Sequence, residues 1–386
     1  MRDNIKHHLD ASIPNHITLT QAQKRKILHE GTNRLEKKRF KLQTVPIIVS
    51  LAIISLSLFL VIPYIQDWLE KDLSQLFEES LREVTIPDFS YSSLIRSIYV
   101  NETKEMIFTD WNGIYSYSVD INTKKILVEP KEESQIHQIA VNENWLAWEE
   151  ITTSTLNVLN RTSNEIIELS NTHVGDIILQ DDTLLIMDLF NSDSDNFMGY
   201  RAIDLYTMKQ RDVHEFIGTG SHSLAAVKDN LLVVPEELEK EGDKVVKFYL
   251  YDIEKNTRLG EYEVPYEIAE LVTLTDHKIF AQFSKKDENA HLGYIDLESG
   301  KLHKIKTPPF SEFAVFENYV ALSIIVKDTT TLKLYKIVDH ELKELPAFKN
   351  ISERLVRPRF IDNGTLLVNG EGEQKTMYLQ EVNFAP

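Results

Sequence analysis

The chain of 386 residues contains no cysteine, which removes thiol nucleophiles, disulfides and thiolate metal sites together. A domain that can bury its own core needs no covalent staple, so this absence does not assign a compartment. Neither H-E-x-x-H nor G-x-x-x-x-G-K-[S/T] occurs, and with them go zinc-protease and phosphate-loop chemistry of the standard kinds. Positive charge is scarce: 42 Lys and Arg stand against 60 Asp and Glu, a net charge of −18. Ten of those bases and only four of the acids lie in residues 1–41, so +6 sits there and −24 on the remainder. A surface that anionic excludes nucleic acid as its partner.

Long hydrophobic runs are absent too, with one exception. Val45 to Ile65 are 21 residues without a charge, enough for a helix to span a hydrocarbon core of about 30 Å. Lys37, Lys38, Arg39 and Lys41 precede it and Asp67, Glu70 and Asp72 follow, the charge bias of an N-terminus left in the cytoplasm. Tyr64 and Trp68 fall at the level of an aromatic belt. A cleavable signal has a shorter apolar core nearer the N-terminus, ending in small residues, whereas this one ends in "VIPYIQDW". The expectation is one uncleaved transmembrane helix at 45–65, a basic helical segment at 1–44 inside, and the C-terminal part outside the cytoplasm. The basic flank would meet anionic membrane lipid.

Beyond the span, Trp68, Leu69, Leu73, Leu76, Phe77, Leu81 and Val84 recur at helical steps and predict an amphipathic stalk over 66–83. From 84 the period changes to two. A hairpin-like phrase then returns seven times: "IYSYSVDINTKKILVE" at 114, "TLNVLNRTSNEIIELS" at 155, "YRAIDLYTMKQRDV" at 200, "KFYLYDIEKNTRLGEYEV" at 247, "HLGYIDLESGKLHKIK" at 291, "TLKLYKIVDHELKELP" at 331 and "KTMYLQEVNF" at 375. Their turn residues align as Asp120, Asn160, Asp204, Asp252, Asp296, Lys336 and Gln380, about 44 residues apart. Two short apolar runs separated by Asn, Asp or Glu precede each phrase, as in "HQIAVNENWLAWEE". Four strands per repeat of this length make a β-propeller blade. The seventh unit ends after its third strand, so the reading is an all-β, seven-bladed propeller over 84–386. In it "VTIPDFSY" at 84–91 supplies the missing strand beside Met377–Phe384.

In that pattern the outer part resembles the TolB-like and quinoprotein-like propellers; WD-repeat and kelch signatures are missing. A short inner segment containing "IKHHLDASIPNHITLTQAQKRKIL", one span and a large outer domain together resemble the membrane-bound regulators of bacterial extracytoplasmic-function sigma factors. That second resemblance implies a cytoplasmic protein partner, a sigma factor, held by the inner helices.

No catalytic, cofactor-binding or metal residue emerges. "GTGSHSLAA" at 218 places Ser221 beside Gly220 and His222, but the last glycine of a nucleophile elbow is missing and no α/β pattern follows. Asp193 and Asp195 in "LFNSDSDNFMGY" lack the glycine and bidentate glutamate of a calcium loop. His7 and His8, with Asp10, are adjacent and point to different sides of a helix. "EELEKEGDK" at 236 reads as a charged hairpin tip that discourages edge pairing. The expected function is therefore that of a non-enzymatic, membrane-tethered binding or scaffold module for protein partners outside the cell membrane. The alternative is a transmembrane regulator.

Overall fold

The computed structural model of the chain describes residues 74–382 except 111, 130–134, 154, 171–172, 192–195, 219, 287, 327–328 and 362, together with Ala22 and Lys26. The segment 1–44, apart from those two helical residues, the span predicted at 45–65 and the start of the stalk lie outside the described residues. Among the described residues no helix is long and apolar enough to cross a membrane.

Residues 81–382 form seven four-stranded antiparallel sheets. Six are contiguous meanders and are numbered here as blades 1 to 6 in chain order; the seventh joins the two ends of the domain. The first strands of successive blades touch one another, blade 1 to 2, 2 to 3, 4 to 5, 5 to 6 and 6 to 7, so these are the inner strands around the axis. In blades 1 to 6 the phrase found in the sequence is the third and outer strand, in blade 7 it is the third strand alone, and the two apolar runs before it are the inner and second strands.

The core is divided among the blade interfaces. Seven clusters of buried side chains each join two neighbouring blades, and the last joins blade 7 back to blade 1. The second strand of blade 5, Lys278–Ser284, shows why: Ile279, Ala281 and Phe283 pack toward blade 4, while Phe280 packs toward blade 6. Period-two alternation sends neighbours to opposite faces, and both faces are covered, so second strands read as apolar runs such as "WLAW" and "YVAL".

The recurrent Asn/Asp signal has a local cause. Asn160, Asp204, Asp252 and Asp296 each end a third strand, and their side-chain oxygen accepts backbone N–H groups two or three residues on: Ser163 at 2.9 Å, Thr207 at 2.7 Å, Lys255 at 2.9 Å and Ser299 at 2.8 Å. Four residues past each one the chain takes a positive φ, at Asn164 (58°), Met208 (57°), Asn256 (50°) and Gly300 (67°). In blade 1 the positive φ falls at Asn122, which aligns Ser118, and not Asp120, with these positions. Blade 6 replaces the motif with a two-residue turn, Asp339–His340, both at positive φ, so Lys336 lies inside its strand.

Ring closure uses the predicted partner but a different strand. Leu81–Val84 pairs antiparallel with Met377–Gln380, in place of the expected 84–91. Pairing stops at Val84 because Pro87 has no N–H and Asp88 has φ 70°, which turn the chain inward. Residues 81–83, expected as the end of a helical stalk, are thus strand, and the described helix of that stalk is confined to 74–79. That helical turn drives Phe77, 1% exposed, into the cluster shared by blades 6 and 7. Asn350 donates to Glu78 (3.0 Å) and Gln380 to Ser80 (2.5 Å) beside it.

Candidate functional site

In an antiparallel meander the turns joining inner to second and third to outer strands share one face of the ring. The second-to-third turns and the longer inter-blade loops share the other, called here the loop face. Five of the seven inner strands carry a bulge: between Ile136 and Ile139, His173 and Ile177, Glu270 and Thr273, Phe310 and Glu312, and Val356 and Arg359. Two bulge residues, Leu271 and Arg357, sit at φ 54°. A bulge leaves a residue unpaired and re-aims its side chain, which is how inner strands project groups toward the channel.

The described residues of the inter-blade loop 216–225 are held by hydrogen bonds to blades 3, 4 and 5. It follows the outer strand of blade 3 and lies against the second strand of blade 4, Leu231–Lys240. Glu236 on that strand is fully buried, and its Oε1 accepts the N–H groups of Ile217 and Gly218, both at 2.5 Å. His214 Nε2 stands 3.5 Å from Glu236 Oε2, and His214 Nδ1 is 2.8 Å from the Tyr251 hydroxyl. Burial pushes the Glu236 carboxyl up, but His214 and the Gly218 and Ile217 N–H groups outweigh it and hold the carboxyl below its ordinary range. Burial and then the Glu236 charge push the Tyr249 hydroxyl up to about 12. Further along, the Glu237 carboxylate binds the His222 ring (2.6 Å), Ser223 Oγ accepts the Val272 N–H of blade 5 (2.9 Å), and the Tyr200 hydroxyl accepts the Ala225 N–H (2.9 Å). A Cβ at Gly218 would lie 2.5 Å from the Glu237 carbonyl, so only glycine permits this approach. The anchored loop nevertheless shows solvent two large apolar side chains, Ile217 (80% exposed) and Leu224 (53%), and Leu271 of blade 5 adds a third (43%). Glu215, two residues before Ile217, and Glu270, next to Leu271 in the chain, are also exposed.

Two recesses lie at opposite ends of the inner strands. On the turn face about 380 Å³ is bounded by Tyr99, Asn101, Asn142, Gln180 and Arg359. Arg359 is spent on structure there, donating to the Ser97 carbonyl (3.1 Å) and Asn369 (2.7 Å). On the loop face about 230 Å³ lies between blades 6 and 7, bounded by Ser311, Glu312, Ser323, Thr330, Arg354, Arg357 and Glu371, with Ile95 and Val356.

Of the residues weighed from the sequence, Ser221 Oγ accepts the Ser223 N–H (3.1 Å) while the His222 ring turns to Glu237, so the two form no nucleophile and base pair. Asp193, Asp195, His7, His8 and Asp10 lie outside the described residues. Among the described residues no group of three or more Asp, Glu or His is placed to hold a metal ion. The expected charged tip at 236–244 is corrected: its tip is Glu241–Gly242, and Glu236 belongs to the core. Its burial was readable, since Leu232, Val234 and Glu236 alternate on one face, yet "EELEKE" looks like solvated charge when taken alone. His214 carried no such sign, because its strand "QRDVHE" has no alternation that marks it.

No protein family and no curated protein matches the sequence. Solved structures match by shape. An oligogalacturonate lyase in complex with manganese superposes with a TM-score of 0.52 at 8% identity, covering 78% of this chain and 96% of that one. A chain of the mitotic checkpoint complex gives 0.51 at 10% identity, with 78% and 91% covered. U3-55K gives 0.50 at 10% identity, with 79% and 99% covered. At such identities the likeness is one of fold, and it agrees with the sheet order in making this chain a seven-bladed β-propeller.

Proposed function

We propose that the chain is a single-pass, membrane-tethered propeller whose outer ring is a binding module for polypeptide partners, without chemistry of its own. The observation that carries the reading is the loop 216–225: a buried, doubly bonded carboxylate holds it still while Ile217 stands 80% exposed at its crest. Preorganised apolar side chains lose little entropy on docking, and such anchors dominate interface energies. With Glu215 and Glu270 exposed close by in the chain, the partner segment is one that presents an apolar side chain flanked by Lys or Arg. The apolar run 45–65 and its basic flank support the tether, with the N-terminus cytoplasmic and the ring outside. Proximity crosslinking in intact cells from a photoreactive residue at 217 tests this. Capture of a discrete protein, lost with Ile217→Asp and Leu224→Asp in a ring of unchanged melting temperature, is expected; equal capture by the variants overturns it.

The second reading is a transmembrane regulator, favoured by the helix grammar of residues 1–44 beside the span. There the inner segment binds a transcription factor of the sigma class and the ring senses an external signal. Deleting residues 1–35 is expected to change transcription with an intact ring, and unchanged transcription removes this reading.

A further inference from the structure

We infer that the loop-face recess between blades 6 and 7 is a site for one small, uncharged, hydroxyl-rich ring, a neutral monosaccharide in chemical class. Its polar lining is balanced. Arg354 donates through Nη1 to Glu371 (2.8 Å) and through Nε to the Thr330 hydroxyl (2.6 Å), and Arg357 pairs with Glu312 (3.1 Å). Two guanidiniums and two carboxylates leave no net charge, so neither an anion nor a cation is favoured. All four remain partly open to solvent, between 29% and 59% exposed, so an occupant of the recess can reach them. Guanidinium forks and carboxylates each match a pair of adjacent hydroxyls, one by donating two hydrogen bonds and the other by accepting two.

The hydroxyl lining adds an independent sign. Ser323 is 2% exposed, and its Oγ finds no hydrogen-bond partner among the described residues although it borders the recess. A buried hydroxyl left unmade is costly, and a ligand hydroxyl satisfies it. Thr330 Oγ1 accepts one hydrogen bond, from Arg354 Nε. The site is also shaped at a cost to the backbone: Arg357, a non-glycine at φ 54°, sits in the bulge of its inner strand, which turns its side chain toward Glu312. The volume of about 230 Å³ is under the roughly 300 Å³ at which drug-sized sites begin, so one sugar ring is the scale of the occupant.

The test is saturation-transfer NMR on the full chain in phosphatidylcholine nanodiscs, free of glycoside detergents. Glucose, galactose and N-acetylglucosamine are titrated, with glucuronate and glucosamine as charged counterparts. At least one neutral sugar is expected to saturate the site in the millimolar range and to bind several-fold more tightly than either charged one. Ser323→Ala removes a hydroxyl the fold does not use, so the melting temperature is expected to hold while affinity falls about 3- to 10-fold, one hydrogen bond's worth. Glu371→Gln, at a partly exposed position, is expected to weaken binding further. No saturable neutral sugar, equal binding of the charged sugars, or unchanged affinity in Ser323→Ala each overturns the assignment.

Discussion

Blades 4 and 7 share one plan and are assembled differently. Blade 4 is contiguous, and its second and third strands run ten residues each, Leu231–Lys240 and Asp243–Asp252, through a two-residue tip. Its inner strand, Ala226–Lys228, covers only the first part of them, and the loop 216–225 lies against the rest, with the Glu237 N–H donating to the Gly220 carbonyl (2.8 Å). Blade 7 has no excess length. Its third strand is five residues and its outer strand four, brought from the other end of the domain. Local hairpins form with little loop-closure entropy and leave length over for holding the inter-blade loop. The long-range blade spends every residue on closing the ring.

Breaking the closure is expected to have the largest effect. Phe77→Ala empties a fully buried site at the seam of blades 6 and 7 and should cost about 3–5 kcal/mol in chemical denaturation, with the whole ring unfolding at lower denaturant. If only a local change appears, the blades are not one cooperative unit. Blade 4 should respond locally. Glu236→Gln keeps an oxygen acceptor but removes the charge that strengthens both hydrogen bonds, roughly 1–2 kcal/mol, and the loss should appear as faster hydrogen exchange at the Ile217 and Gly218 amides with exchange in blade 7 unchanged.

Acid is expected to do the same by degrees. The Glu236 carboxyl is held below its ordinary value of 4.5 in the fold, so the stability it lends is complete above that value. It is lost as pH falls through the depressed folded value, and the 217–218 amides should lose protection there, ahead of those in blade 7. The smallest effect is expected at Arg82→Ala. Its ion pair with Asp120 (3.2 Å) links the closing strand to blade 1, but both side chains are half exposed, so the cost should be below about 1 kcal/mol and vanish in high salt. A larger loss would mean that closure rests on this pair more than on Phe77.

The difference between the two blades also marks how far the residues could be read. Blade count, strand order and the partner of the closing strand were legible, because every repeat carries the same alternation and turn chemistry. The position of the closing strand was not. Leu81 and Val84 fit the helical spacing of Trp68, Leu73 and Phe77 as well as they fit a strand, and only the register Leu81↔Gln380 and Val84↔Met377 decides between them. The two recesses were equally hidden, since each collects residues that lie far apart in the sequence, from four blades in one case and from two blades and Ile95 in the other.

The order of residues alone settled that this chain makes a repeated four-stranded meander, since alternation and Asn/Asp turns act within a few residues and need no partner. Which polar groups are enclosed was decided only by the ring. Glu236, His214 and Ser323 become buried because a neighbouring blade arrives over them, and that neighbour's approach is a property of the closed circle and not of any one strand.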